Sequence, residues 1–243
     1  MFTLGGDGDD VEEAGRSLAR AAIGMLDVAV HEGAHPRFGV LDVVPFVPIG
    51  SADLLPVMRA RDAFAAWAGR TLDLPCFLYG PLAENGARSL PEVRRGAFSR
   101  FGPDTGPAAP HPTAGATAVG ARPLLVAYNL WIAGADVAVA RAVAAAIRGP
   151  AVRALGFELT HGVQVSCNLV DPFDVGPADV YDRVAALLRQ GNPPAPVIER
   201  AELVGLVPAA VLERIPLGRW TELDLAEDRT IEGRLAQGST RAR

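Results

Sequence analysis

The stretch from Ala121 to Val207 imposes an order of elements that few folds accommodate. ARPLLVAYNLWI (121–132) is strongly strand-like, and GADVAVARAVAAAIRG (134–149), Ala-rich and stopped at Gly149-Pro150, predicts a helix. VRALGFELT (152–160) and GVQVSCNLVD (162–171) predict two strands joined by a short turn at His161-Gly162. Pro177 starts a second helix that ends at Gly191, and VIERAELVGLV supplies a last strand before a short helix over 208–214. This β-α-β-β-α-β order is the split βαβ pattern, an antiparallel sheet with helices on one face. The polar tail beyond is expected to fray.

The first half repeats that order loosely if Met1 to Leu4 ends a strand. A helix over 9–25 places Val11, Leu18, Ala22 and Met25 along one face. Strands are expected at 26–30, 40–50 and 74–80, with a helix after Ser51 whose first turn must hold Pro56. The polar segment 81–120 is too long to be an idle connection. The fold expected is α/β (α+β), with two split-βαβ, ferredoxin-like subdomains whose sheets face each other across a ligand groove, helices outside. The division expected is 1–132 and 133–243.

Composition narrows the chemistry. All 23 basic residues are arginine, which rules out a Schiff-base lysine, a pyridoxal-phosphate lysine and the lysine of a phosphate-binding loop. The net charge of −5 and the absence of an arginine-dense, aromatic-interleaved stripe argue against nucleic acid. Cys76 and Cys167 each sit in an apolar run without ligand-type spacing, so buried thiols are expected ahead of a disulfide. Neither a signal peptide nor an apolar run of ~18 residues is seen, and a cytoplasmic, membrane-free protein is expected.

Several residues could carry chemistry. His31 and His35 lie in HEGAHPRFGVLDVVPF, with Arg37 and Asp42 close behind. A histidine pair spaced for a metal needs a helix, which Gly33 and Pro36 prevent, so no metal is expected. His35, fixed by Pro36 between Gly33 and Gly39, suits moving a proton between two nitrogens. In HPTAGATAVGARPLLVAYN (111–129), Arg122 could clamp a carboxylate or merely pair with a surface acid, and Asn129 could read an amide-bearing ring. Asn168 could satisfy a buried backbone group. Glu202 is either a functional acid or, the safer reading, a partner of Arg200 or Arg219. Tyr79 is expected to pack rather than stack on a ligand, and Cys167 is a poor nucleophile.

In order, the runs HEGAHPRFGVLDVVPFVPIG, LYG, FGP (101–103), HPTAGATAVGARPLLVAYN, VRALG, VQVSCNL and ELVGLVP resemble the formiminotransferase family. The pairing of H-P-R-x-G with V-G-A-R-x-x-L-x-A-Y-N is the specific part. The resemblance implies two α/β subdomains facing each other across a tunnel. It implies transfer of a formimino group from N-formimino-L-glutamate to tetrahydrofolate, the co-substrate, without a metal. It also implies that His35 is catalytic and that Gly120, Ala121, Arg122, Tyr128 and Asn129 lie in the folate site, with Arg37 and Arg122 as candidates for the substrate carboxylates. Asp42, Asp104 and Asn168 are further candidates.

The sequence departs from the family at Ala34, where an acid is usual, at Ser99-Arg100, beyond which Asp104 could substitute, and at Trp131, where a polar residue is usual. It also starts after the strand–helix–strand unit with which family members begin, so an open sheet edge and an incomplete tunnel wall are expected, an edge that a homodimer would close. The alternative reading is a relative that binds a folate-like ligand without turnover or serves as an interaction module.

Overall fold

In a computed structural model the described residues are 2–32, 37–50, 53–82, 86–190 and 194–241. Contacts divide the chain into two units, Leu4–Pro123 and one made mainly of Leu124–Arg243. The first contains α1 (Gly8–Met25), β1 (Val43–Phe46), α2 (Leu55–Thr71), β2 (Cys76–Leu82), β3 (Gly86–Arg88), α3 (Leu90–Gly96) and β4 (Thr117–Ala121). Its sheet runs β1-β4-β2-β3. β4 lies between β1 and β2, parallel to both, and β3 is an antiparallel edge. The crossover β1-α2-β2 therefore skips a strand, which makes it a split βαβ unit.

Both faces of this sheet are covered. Val44, Leu78 and Val119 pack with Phe64, Ala65 and Ala68 of α2. On the other face Phe77, Tyr79 and Ala118 meet Val93 of α3, Phe38 and Phe101. Every residue of β4 is buried, so TAVGA uses small and β-branched side chains that fit between two layers. A short run of small residues carries little hydrophobic signal, which is why this strand was hidden in a segment read as polar.

The apolar run 121–132 contains not one strand but the end of β4 and most of a second strand, separated at Pro123, which has no N–H for a ladder. LDVAV (26–30) forms no strand: residues 28–30 turn, and Val28 N donates to Thr113 O at 2.8 Å. Residues 2–4 are not strand either. The strand expected over 40–50 shortens to β1, which holds the sheet edge with exposed Pro45, a residue suited to an edge. α2 takes Pro56 in its first turn, whereas Ser51 lies outside the described residues.

The second unit follows its sequence pattern closely: β5 (Val126–Ala133), α4 (Val137–Ile147), β6 (Val152–Leu159), β7 (Gly162–Leu169), α5 (Pro177–Leu188), β8 (Val197–Val204), α6 (Ala209–Leu212) and α7 (Ile231–Arg241). Its sheet runs β6-β7-β5-β8 and every pair is antiparallel. Both helical crossovers skip a strand, so the molecule is an α/β protein of two split-βαβ units. The sequence-based division after residue 132 cuts through β5, which pairs with β7 and β8 and so belongs to the second unit.

Asp136 caps α4 by accepting from Val139 N at 2.9 Å. Tyr128, Leu130, Val165 and Leu169 bury one sheet face against Val143 and Ile147 of α4 and Val180 and Val184 of α5. The tail does not fray as expected. Leu223 and Leu225 are buried in this same core, and the Leu223 carbonyl accepts from the Tyr128 hydroxyl at 3.0 Å. No helix among the described residues is long and apolar enough to cross a membrane.

Candidate functional site

In the first unit the site is built at the carboxyl ends of parallel strands, where open α/β sheets bind ligands. Tyr79 of β2 is the register partner of Gly120 of β4. A Cβ at Gly120 would lie 2.0 Å from the Tyr79 ring, so glycine lets the ring rest on the strand. The phenol hydroxyl and the Arg122 guanidinium lie close enough to influence each other electrostatically, and Arg122 Nη1 donates to the Pro123 carbonyl at 2.9 Å. Burial pushes the Tyr79 hydroxyl above the ordinary phenol range, and the cations Arg122 and Arg94 oppose that rise. Burial pushes Arg122 below the usual guanidinium value, against the support of Tyr79. A partly desolvated guanidinium of this kind gains from an incoming anion.

The two sequence motifs meet at the opposite, amino-terminal end of these strands, where β1 and β4 begin. Ala116 N donates to Phe38 O at 2.9 Å, Val40 N to Ala114 O at 3.0 Å, and Ala118 N to Asp42 O at 3.0 Å. A Cβ at Gly39 would stand 1.9 Å from the Ala116 carbonyl, so only glycine allows this lacing. Asp42 accepts from Phe38 N at 2.9 Å and pairs with Arg94, whose guanidinium lies 5.8 Å from the Phe38 ring centroid. Arg37 donates to the His31 carbonyl. His35 lies outside the described residues.

In the second unit, β5 alternates between core and the face away from α4 and α5. Tyr128 and Leu130 take the core, leaving Asn129 and Trp131 on the helix-free face. There Glu202 Oε2 accepts from Asn129 Nδ2 at 3.2 Å, Trp131 Nε1 at 3.1 Å and Gln164 Nε2 at 3.3 Å. The Arg200 guanidinium sits 4.4 Å from the Trp131 ring centroid. Asn168, exposed, lies on the same face of β7 as Gln164, in the pair next to Asn129–Ser166. Glu202 therefore pairs with neither arginine expected of it; Arg219 binds Asp182 at 2.8 Å and Glu222 at 3.1 Å instead.

The structure thus gathers Gly120 and Arg122 with Tyr79 and Arg94, and Asn129 with Asn168. Tyr128 stands apart, because its hydroxyl is spent on Leu223 and its ring is in the core. Asp104 also stands apart: it pairs with Arg88 at 2.8 Å and accepts from Leu78 N at 2.7 Å, tying β2 to β3. Ala121 is wholly buried. Cys76 and Cys167 are free and buried, and burial pushes both thiols up to about 12, so neither supplies a thiolate near neutral pH.

Sequence reasoning missed Arg94 and Gln164. The Ser89-Leu90-Pro91-Glu92 capping box, with Ser89 N donating to Glu92 Oε2 at 2.7 Å, was the available signal for α3 and hence for Arg94. The Gly162–Leu169 alternation was the signal for Gln164.

Comparison with known proteins agrees with this layout. The family model for the formiminotransferase domain, N-terminal subdomain, matches residues 1–122. A glutamate formimidoyltransferase of Streptococcus pyogenes serotype M1 is 34% identical, covering 87% of this chain and 76% of that protein. A glutamate formimidoyltransferase of Thermoplasma acidophilum is 30% identical, covering 87% and 75%. The formimidoyltransferase-cyclodeaminase of Sus scrofa is 32% identical over 87% of this chain, which spans only 43% of that longer protein. On the family match and on these relatives, the chain belongs to the formiminotransferase family.

Proposed function

We propose that this protein transfers a formimino group from N-formimino-L-glutamate to tetrahydrofolate, forming 5-formiminotetrahydrofolate and glutamate. The observation that carries this reading is Arg122, a partly desolvated cation beside Tyr79 at the carboxyl ends of parallel strands. Its family includes proteins named for glutamate formimidoyl transfer. The donor is a dicarboxylate, and guanidinium suits each carboxylate through two parallel hydrogen bonds. Arg122 takes one carboxylate and Arg37 the other. Gly120, Ala121 and Asn129 belong to the folate-binding segment, and Tyr128 holds β5 in place from the core side.

His35 carries the proton. N5 of the pterin attacks the amidine carbon, forming a C–N bond and a tetrahedral centre. The imidazole accepts the N5 proton and returns it to the glutamate nitrogen as the old C–N bond breaks. One group between two nitrogens performs both transfers, worth typically ~10²–10⁴-fold in rate. Holding both substrates in line adds to this by removing the entropy cost of their encounter.

A coupled assay tests the reading. Protein, formiminoglutamate and tetrahydrofolate are mixed, and acid converts the product to methenyltetrahydrofolate, which is read by absorbance. Product above a His35→Ala control is expected. Tetrahydrofolate binding without product would favour the reading of a folate binder that does not turn over.

A further inference from the structure

The first unit holds a buried cation that the chemistry above leaves unused. Arg61 of α2 is 1% exposed, in a helix whose Phe64, Ala65 and Ala68 enter the core. Among the described residues it is the one buried charged side chain. A guanidinium at that depth is costly unless its N–H groups are met. Its Nε donates to Asp62 Oδ1 at 2.8 Å, and its Nη1 donates to two backbone carbonyls, Tyr79 at 3.2 Å and Pro81 at 2.5 Å.

Those two carbonyls flank Gly80, where β2 leaves β4: Tyr79 is the last residue paired with β4, and Gly80 to Leu82 pair with β3. In an extended strand, carbonyls two residues apart stand about 6.5–7 Å from each other, too far for one nitrogen at these distances. The chain bends instead. Gly80 has φ +89°, and a Cβ there would lie 1.9 Å from the Ala121 carbonyl. The bend therefore seats β2 against the residue that precedes Arg122, just beyond the point where the Tyr79 ring rests on Gly120.

We infer that Arg61 is a positioning residue: by clamping the carbonyls on either side of Gly80, it presets Tyr79 and Arg122 for an incoming carboxylate. It touches no substrate itself. That the carboxylate belongs to the formimino donor rests on the formimino-transfer reading, whereas the clamp does not. Without Arg61 the two carbonyls lose their partner and the bend relaxes. The loss then falls on binding at Arg122, which raises KM for the formimino donor and leaves kcat in place.

The test compares wild type, Arg61→Met and Arg61→Lys, the last keeping the charge without the planar fork. Formiminoglutamate affinity is measured by calorimetry. The ring resonances of carbon-13-labelled tyrosine are followed without ligand, with Tyr79→Phe assigning the Tyr79 signal. Arg61→Met is expected to weaken formiminoglutamate by about tenfold and Arg61→Lys by about three- to tenfold. In an Arg122→Met background neither should weaken it further, because the clamp acts through Arg122. The Tyr79 resonance should move while those of Tyr128 and Tyr181 stay.

Unchanged affinity with an unmoved Tyr79 resonance overturns the inference. So does weakening that persists in full without Arg122, or a shift of all three tyrosines, either of which would leave Arg61 a residue of the fold alone. If Arg61→Met does not fold, Arg61→Lys decides the matter. The ligand-free resonances separate the two readings. A Tyr79 signal that moves alone, in a protein whose wild type does not bind formiminoglutamate, removes formimino transfer and leaves the clamp standing.

Discussion

The two sheets of this chain use the same crossover, a helix that carries the chain past one strand, and offer opposite chemistry. The first is parallel in its centre and covered on both faces, so mid-strand side chains such as Phe77 and Val119 are consumed in packing. Among its polar groups are two cations outside the strands themselves, Arg122 just past the end of β4 and Arg94 on α3. The second sheet is antiparallel with α4 and α5 on one side, so alternate residues of each strand point to the other. That face carries amides and a carboxylate in mid-strand: Asn129, Gln164, Asn168 and Glu202. Coverage, not sequence composition, decides where a split βαβ unit can place functional groups.

This contrast can be broken experimentally. The largest effect is expected in the first unit: His35→Ala should lower kcat by about 10²–10⁴-fold while the melting temperature stays put. A matched loss of activity and stability would assign His35 to folding instead. Next comes a core change in the second unit. Leu223→Ala should cost about 2–5 kcal/mol in denaturant unfolding, because its side chain is fully buried. A loss under 1 kcal/mol would mean that the tail is not part of that core.

Smaller effects sharpen the comparison. Arg122→Met should raise KM for the dicarboxylate donor by about ten- to a hundredfold, and Arg122→Lys should restore little of it, since an ammonium cannot make the paired bonds. Full rescue by lysine would reduce the site to a point charge. Tyr128→Phe should cost about 1 kcal/mol, the value of its bond to Leu223, with KM unchanged. A raised KM would bring Tyr128 into the ligand site after all.

The cysteines, one in each core, should do least at neutral pH. Neither should react with a thiol reagent until the protein unfolds. Folded values pushed up to about 12, from an ordinary 9.0, favour the neutral thiol in the native state. Their contribution is complete below pH 9 and is lost as pH rises from 9 towards 12. Flat stability across that alkaline range would contradict their burial.

What was legible divides along the same line. The second unit could be read because its strands alternate or run apolar and its helices have clear stops at Gly149-Pro150 and clear starts at Pro177. In the first unit, β4 was missed because a strand buried on both faces between close neighbours can be made of Thr, Ala, Val and Gly. LDVAV was misread because its apolar residues serve a turn bonded to Thr113, a partner far along the chain. The tail was misjudged because two leucines in a polar stretch reveal nothing until Tyr128 and its core are in place.

The site shows the same split. Sequence alone determined the residue types: an all-arginine cationic set, a histidine beside proline, and a glycine-rich approach to a strand. It also determined the order of elements in the second unit, since period and punctuation are local properties of the chain. Tertiary structure decided which of those residues meet. It put Tyr79 on Gly120 and against Arg122, gave Asp42 to Arg94 and Asp104 to Arg88, and joined Glu202 to Asn129, Trp131 and Gln164. Those pairings depend on strand order, and strand order is set by which faces must be buried against which helices, a property of the whole chain that no single segment contains.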